Sequence, residues 1–232
     1  MAKEKFKKVT KFGIVIRISA AFLALFVIML GGRIAYELNS TNALETQEII
    51  QGIKTVKSGW TNIYLLETDG GYIAIDAGQN DSSETKEEFN KLGVSSDDVI
   101  AVFLTHAHDD HIAALDLFDG KPVYGSENTI FDKVTVKMRD GEIAEIGGFS
   151  IQSIFTQGHC ADSVCYLING RYLFTGDTFS LKNDKVDLVS ILVNESNKVQ
   201  KADIKRLSEI NSVEYYFTAH FGFTNKPVFP SG

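Results

Sequence analysis

The heptapeptide Thr105-His-Ala-His-Asp-Asp-His111, THAHDDH, contains three of the five histidines of this chain and two carboxylates. The heptapeptide begins where a short continuous apolar run, Val99–Thr105, stops. This run predicts a strand buried on both faces. The heptapeptide leads into His111–Phe118, whose pattern predicts a helix. Taken alone, the heptapeptide fits a charged surface turn, a proton-handling site or one half of a metal site. Residues elsewhere in the chain have to decide between these three interpretations.

The remaining histidines, His159 and His220, occupy the same kind of position as the heptapeptide. Each comes at, or just beyond, the C-terminal end of a strand-like run, and so does Asp177. Loops that leave the same edge of a sheet can converge in space, and ligand sites are often built at such edges. We therefore expect these side chains to meet the heptapeptide in the folded protein.

These residue types suit a divalent transition metal. Imidazole and carboxylate bind zinc, iron or manganese, and no thiolate is required. Two histidines that are two residues apart can hold one ion where the backbone is extended, whereas neighbouring side chains point in different directions and suit a second ion. The predicted ligands are His106, His108 and His159 for one metal, Asp110, His111 and His220 for the other, and Asp177 between them. Three protein ligands and a shared carboxylate leave room for water, as a catalytic site needs.

The body of the chain reads as one α/β domain. Its 232 residues with 44% apolar content are enough for one substantial core. Hairpin signals at 68–71 and 169–170 alternate with strand–helix units, which predicts two sheets covered by helices. We place this domain at residues 53–232, after a polar linker at 36–52.

The first 35 residues predict a membrane-targeting segment. Residues 1–17 carry a net charge of +5, and the uncharged stretch Ile18–Gly32 follows them. Arg33 lies where a cleavage site needs a small residue, so we favour an uncleaved single-pass transmembrane anchor over a cleaved signal peptide and a secreted protein. A buried core helix is a further alternative. The positive-inside rule then places the folded domain outside the cytoplasm.

The net charge of the chain indicates which kinds of partner it can bind. The 215 residues after the basic start carry a net charge of −12, which argues against nucleic acid as a partner.

The two cysteines, Cys160 and Cys165, are expected to be free thiols. Aromatic residues such as Trp60 and Phe179 are expected in the core, although a place in a pocket wall is the alternative. Nothing in the pattern decides the oligomeric state.

The residues quoted so far carry a family resemblance. His106-Ala-His-Asp-Asp-His111 resembles the H-x-H-x-D-H motif of the metallo-β-lactamase superfamily, and the later ligand positions follow in that family's order, at Gly158-His159, Gly176-Asp177 and Ala219-His220. The opening strands, Asn62–Glu67 and Tyr72–Gly78, are also similar. The resemblance spans about residues 55–224 and implies an αββα four-layer sandwich, with a dinuclear metal site at one edge.

The chain departs from the common family pattern at two loops near the metals. Ala113-Ala114 stands where many relatives have Gly-Gly, and Cys160-Ala161-Asp162 stands where many have Thr-Pro-Gly. The bridging position is Asp177 and not cysteine, so the chain looks more like the thioesterase, lactonase and general hydrolase branches. These differences bear on the shape of the substrate more than on metal binding.

The resemblance implies a metal-dependent hydrolase with two divalent ions, zinc being favoured over iron or manganese. The substrate would be a small ester, thioester, lactone, lactam or phosphoester. Asp110 is expected to orient the nucleophile, and Asp76 to support the metal loops. One alternative is an iron-dependent redox enzyme on the same fold, which handles oxygen or persulfide. The other is a protein with a degenerate site, which the full set of seven ligand positions argues against.

Overall fold

The computed structural model describes residues 16, 19, 22–32, 41–189 and 193–230. The chain divides into two compact units, Met1–Thr41 and Asn42–Gly232. In the first unit residues 16, 19 and 22–32 are helical and exposed. The predicted membrane anchor lies partly outside the described residues, and no helix within them combines the length and apolarity needed to cross a bilayer.

The second unit contains fifteen strands, three α-helices and two short 3₁₀ turns among its described residues. The strands are β1 Gln47–Ile50, β2 Ile53–Ser58, β3 Thr61–Thr68, β4 Gly71–Ile75, β5 Val99–Phe103, β6 Val123–Ser126, β7 Val136–Met138, β8 Ile143–Ile146, β9 Phe149–Phe155, β10 Val164–Ile168, β11 Tyr172–Phe174, β12 Ser180–Lys182, β13 Lys185–Asp187, β14 Tyr215–Phe217 and β15 Phe223–Thr224. The helices are α1 Ser82–Lys91, α2 Asp109–Ile112 and α3 Asn197–Ser208, and the 3₁₀ turns are Ser96–Asp98 and Leu115–Phe118.

Two sheets form the centre of the domain. The first contains β1 to β7 in sequence order, antiparallel up to β4 and parallel from β4 to β7. The second has the order β15-β14-β11-β10-β9-β8, in which only β11 and β14 are parallel. The strands β12 and β13 form a separate two-stranded ribbon. This is the mixture of hairpins and crossovers that the sequence predicted.

Three hydrophobic clusters define the layers. On β3, Tyr64 and Leu66 point into a cluster between the two sheets, while Ile63 and Leu65 point into an outer cluster with Phe89 of α1. A third cluster packs α3 on the other face of the second sheet. Successive strand residues face opposite sides, so a strand covered on both faces needs an unbroken apolar run. The predicted αββα sandwich is confirmed.

Two buried tyrosines link the sheets at the edge where the ligand loops begin. The Tyr64 hydroxyl, from the first sheet, donates to the carbonyl of Thr218 at 2.7 Å, just before His220. The Tyr166 hydroxyl, from the second sheet, donates to the carbonyl of Leu104 at 2.8 Å, just before the heptapeptide. Each sheet therefore anchors a loop that leaves the other.

An edge strand lies within the stretch 36–52 that was predicted as a linker. Gln47–Ile50 forms β1, which pairs antiparallel with β2, and the Thr55 hydroxyl donates to the carbonyl oxygens of Glu45 and Gln47. Ile49 and Ile50 pack against the cluster between the sheets. Four residues are too few to show a clear apolar period, so the pattern hides this edge strand.

The predicted helix His111–Phe118 is also different in the structure. It is split into α2, which starts at Asp109, and the separate 3₁₀ turn Leu115–Phe118. The amides of Ala113 and Ala114 donate to the carbonyl oxygens of Gly78 and Ala77, at 3.0 and 3.2 Å. Because these amides bond to another loop, the helix ends after one turn.

Phe89 provides a test of the outer layer. It is fully buried and its ring packs 6.0 Å from that of Phe118. We expect Phe89→Ala to lower the free energy of unfolding by about 3–5 kcal/mol, because it leaves a cavity between α1 and the sheet. The fully exposed Ile130 gives a control, since Ile130→Ala should change the value by less than about 0.5 kcal/mol. Denaturant unfolding measures both, and equal small effects would contradict this packing.

Candidate metal centre

The heptapeptide leaves β5 as a loop and runs into the single turn of α2. Asp76, at the end of β4, holds its start: the amide of Thr105 donates to Asp76 Oδ1 at 2.7 Å, and the Thr105 hydroxyl donates to the same carboxylate. His108 is the extended residue that caps α2. This extended backbone lets His106 and His108 aim at one point, as their spacing predicted.

Three histidines form the first group. His106 Nε2 lies 3.1 Å from His108 Nδ1, and His159 Nε2 lies 3.1 Å from the same atom. One ring nitrogen from each of the three histidines and the sulfur of Cys160 lie within 4.8 Å of one another. His159 reaches the group from the loop that follows β9, so the group joins residues from both sheets.

The second group consists of Asp110, His111 and His220. His220 Nε2 lies 3.5 Å from Asp110 Oδ2, and His111 Nε2 lies 3.9 Å from Asp110 Oδ1. His220 comes from the loop after β14 and thus joins the heptapeptide from the second sheet. One donor atom from each of the three residues falls in a common cluster.

Asp177 lies between the two groups, as predicted. Its Oδ1 is 3.1 Å from His220 Nε2 and 3.6 Å from His111 Nε2, whereas its Oδ2 is 3.6 Å from His159 Nε2. One carboxylate oxygen therefore faces each group. The seven sequence-predicted residues are all brought together at one edge of the sandwich.

Two buried atoms at this position indicate that the residues fit a metal. Among the residues that the structure describes, only His111 Nε2 and Asp177 Oδ1 are buried side-chain polar atoms without a hydrogen-bond partner. An unpaired buried polar atom is costly, and native proteins rarely retain one without a bound group to satisfy it. Nitrogen and carboxylate donors with no obligatory thiolate suit a divalent transition metal.

The far side of each of three histidines is held by a different acceptor. His111 Nδ1 lies 2.9 Å from Asp76 Oδ2, His220 Nδ1 lies 2.9 Å from the carbonyl oxygen of Trp60, and His159 Nδ1 lies 3.0 Å from Asn194 Oδ1. An acceptor at Nδ1 fixes the hydrogen on that nitrogen and leaves Nε2 free as a ligand. All three Nε2 atoms point into the groups described above.

The ionisable side chains of this cluster change one another's pKa values. Burial opposes ionisation of Asp177, but the imidazoles of His220 and His111 hold the pKa of its carboxyl well below the ordinary range. Burial also opposes protonation of His111, yet Asp76 and Asp177 raise its pKa well above the ordinary value. Metal ions would have to replace protons here, so metal binding should weaken in acid.

Of the residues that contact the candidate ligands, Trp60 was expected in the core, with a pocket wall as the alternative, and Asn194 and Gln200 were not predicted. Trp60 is 45% exposed, not part of the core as expected, and its indole nitrogen donates to Asp110 Oδ2 at 3.2 Å. Phe179 is fully buried, as expected. Asn194 and Gln200, beside His159 and Asp177, carry no local signal that could have identified them.

The cysteines are free and buried. Burial raises the pKa of the Cys160 thiol to about 12, and its sulfur lies 3.1 Å from Asp162 Oδ1. A thiol with a raised pKa is a poor nucleophile. Cys160 is therefore a poor candidate for a catalytic nucleophile.

Parts of the chain are similar in sequence to known proteins. Residues 59–126 match the family model of the metallo-beta-lactamase superfamily. A probable polyketide biosynthesis zinc-dependent hydrolase, BaeB, of Bacillus velezensis is 34% identical over 144 residues, which is 57% of this chain and 61% of BaeB. A hydroxyacylglutathione hydrolase of Francisella tularensis subsp. novicida is 35% identical over 121 residues, 50% of this chain and 46% of the relative.

A solved structure supports the same fold. A metallo-beta-lactamase family protein of Thermus thermophilus has a TM-score of 0.62 at 19% identity, covering 77% of this chain and 76% of that protein. The chain spans about half to three fifths of the length of the curated relatives quoted above. Residues 59–126 therefore resemble the metallo-beta-lactamase superfamily, and the folded domain shares the fold of that solved structure.

Asp203 of α3 gives a pH-dependent test of the loop that carries His159. Its Oδ2 accepts a hydrogen bond from the amide of Gly158 at 3.1 Å, and burial raises its pKa to about 6. The folded state thus binds more protons than the unfolded state between about pH 4 and 6, so the stability contribution of Asp203 falls as pH rises through this window. In Asp203→Asn this contribution disappears, while an acceptor oxygen remains for Gly158.

We therefore expect wild type to lose stability relative to Asp203→Asn as pH rises from about 4 to 6. Denaturant unfolding of both proteins at matched metal loading measures the difference, because contributions shared by the two proteins cancel. A difference that stays constant over this window would contradict the raised pKa of Asp203.

Proposed function

We propose that this protein is a metal-dependent hydrolase whose two divalent ions, with zinc favoured, are held by the seven residues of the candidate metal centre. The observation that carries the proposal is Asp177, whose two carboxylate oxygens face two separate groups of three donors. The names of the relatives as hydrolases support the reaction type.

Two bound ions would supply Lewis-acid chemistry, lowering the pKa of a water to make it nucleophilic and withdrawing charge from the bond under attack. The side chains of the protein would hold the ions in two groups. The first group would be His106, His108 and His159, the second Asp110, His111 and His220, with Asp177 shared. His111 and Asp177 each have a buried side-chain atom without a hydrogen-bond partner. Binding of a metal to these atoms would offset the free-energy cost of burying them unpaired.

Asp110 would also orient the nucleophile. Its side chain is 26% exposed, in contrast to Asp177 at 9%, and its Oδ2 accepts the indole hydrogen of Trp60. This hydrogen bond restricts rotation of the carboxylate while one face stays open to solvent. An oriented carboxylate at the open side of the centre can hold or accept a proton from an attacking water.

The substrate proposed is a small molecule with an ester, thioester, lactone, lactam or phosphoester bond. Trp60 supports a site open to such a molecule, because this aromatic side chain is exposed beside Asp110. Iron-dependent redox chemistry is the alternative, since imidazole and carboxylate donors also bind iron. Metal analysis and a reporter screen over these bond types distinguish the two, because bound iron with oxygen consumption would favour the alternative.

Replacing ligands tests the centre directly. We expect His108→Ala and Asp177→Ala to reduce bound metal and to lower hydrolysis by more than about 100-fold, which is the upper end of the effect of losing an outer partner of a ligand. Asp109→Ala is the matched control, because Asp109 is exposed and belongs to neither group. Metal stoichiometry and turnover of reporter esters are the measurements. Wild-type metal content in both ligand variants would refute the assignment.

We also propose that the full chain is a single-pass membrane protein with its domain outside the cytoplasm. The support is the sequence alone, in which six basic residues and one acidic residue precede the uncharged stretch Ile18–Gly32. The full chain should stay with the membrane fraction after carbonate extraction. Protease added to the outside of cells should digest the folded domain. Recovery in the soluble fraction together with protection from protease would reject this location.

A further inference from the structure

The loop that carries His159 rests on the start of α3. The amide of Glu195 donates to the carbonyl of His159, and the amide of Ser196 donates to the carbonyl of Gly158, both at 2.9 Å. Gly158 allows this approach, since a Cβ there would lie 2.2 Å from the backbone nitrogen of Gln200. The backbone of the loop is therefore held in place before any side-chain contact is considered.

Asn194 then contacts the imidazole itself. Its Nδ2 donates to Asn197 Oδ1 at 2.9 Å and to Gln200 Oε1 at 2.7 Å, so two acceptors face the amino group of the amide. The Oδ1 atom is consequently the one directed at His159 Nδ1, 3.0 Å away. An amide oxygen can only accept, so the hydrogen of the imidazole lies on Nδ1.

Gln200 completes the arrangement and extends it to Asp177. This side chain is fully buried, and its Nε2 donates to Asn194 Oδ1 and to the carbonyl oxygen of Asp177, each at 3.1 Å. Both its donor and its acceptor atoms are thereby used. One pair of amides on α3 and its lead-in thus touches the two loops that carry His159 and the shared carboxylate.

We propose that Asn194 is a positioning residue for the metal centre, which holds His159 with its hydrogen on Nδ1 and its Nε2 free to ligate, while Gln200 fixes the orientation of the Asn194 amide. The proposal rests on the metal centre proposed above. Without an acceptor at Nδ1, the neutral imidazole would populate both tautomers, and the form with its hydrogen on Nε2 cannot bind a metal through Nε2.

The test compares Asn194→Ala, which removes the acceptor, with Asn194→Asp, which keeps an acceptor oxygen. The exposed Lys198, also at the start of α3, gives the control Lys198→Ala. The first readout is the tautomer of His159 in the metal-free full chain, observed by long-range proton–nitrogen NMR of labelled histidine at a pH where this imidazole is neutral. The second is zinc affinity, measured by competition with a chromophoric chelator.

We expect wild type, Lys198→Ala and Asn194→Asp to show the hydrogen on Nδ1 and to bind zinc with similar affinity. Asn194→Ala should show mixed tautomers and bind zinc about 10–100-fold more weakly, the usual effect of losing such a partner. Thermal unfolding of the metal-free proteins shows whether Asn194→Ala is folded. Should it not be, Asn194→Leu, which also lacks the acceptor but fills more of the space, takes its place.

An unchanged tautomer in the variant without the acceptor would overturn the proposal, whatever its zinc affinity. Equal losses in Asn194→Ala and Asn194→Asp would also overturn it, because the acceptor oxygen would then not be the feature that matters. Failure of the hydrolase proposal looks different: wild type would bind zinc and show the expected tautomer without turnover. A wild type that binds no zinc would remove both proposals together.

Discussion

The arrangement of this domain depends on one buried carboxylate. Asp177 is 8% exposed, and its oxygens face imidazoles on two sides, from His111 and His220 on one and His159 on the other. A carboxylate in such a place is costly unless positive charge balances it. The three histidines come from three different loops, so every element that positions those loops contributes to satisfying this one group.

The sandwich provides that positioning through contacts that cross between its sheets. Tyr64 and Tyr166 each reach from one sheet to a backbone carbonyl at the end of a strand in the other, immediately before ligand-bearing residues. Both hydroxyls are buried in the cluster between the sheets, where an unmade hydrogen bond would be expensive. The apolar core and the candidate site are thus coupled, because the side chains that fill the core also fix the loop ends.

A second set of contacts decides which atom of each histidine is presented. A carboxylate, a backbone carbonyl and an amide oxygen accept from His111, His220 and His159, respectively. Of these acceptors only Asp76 carries a charge, whereas the other two are neutral oxygens. Only the carboxylate partner, Asp76, was expected from the sequence, because it lies in a stretch that resembles the opening strands of the family.

The sequence by itself determined the candidate ligand residues, their order and a domain of two sheets covered by helices. Ligand chemistry depends on residue type, and strands buried on both faces appear as local apolar runs, so both can be read from neighbouring letters. Tertiary structure alone decided that β1 belongs to the sheet, that α2 stops after one turn, and that Trp60 contacts Asp110 while Asn194 contacts His159. The two side-chain contacts join residues far apart in the chain, 50 positions for Trp60 and Asp110 and 35 for His159 and Asn194. Such pairs leave no period or spacing in the sequence, because only the folded arrangement of the loops at the edge of each sheet brings them together.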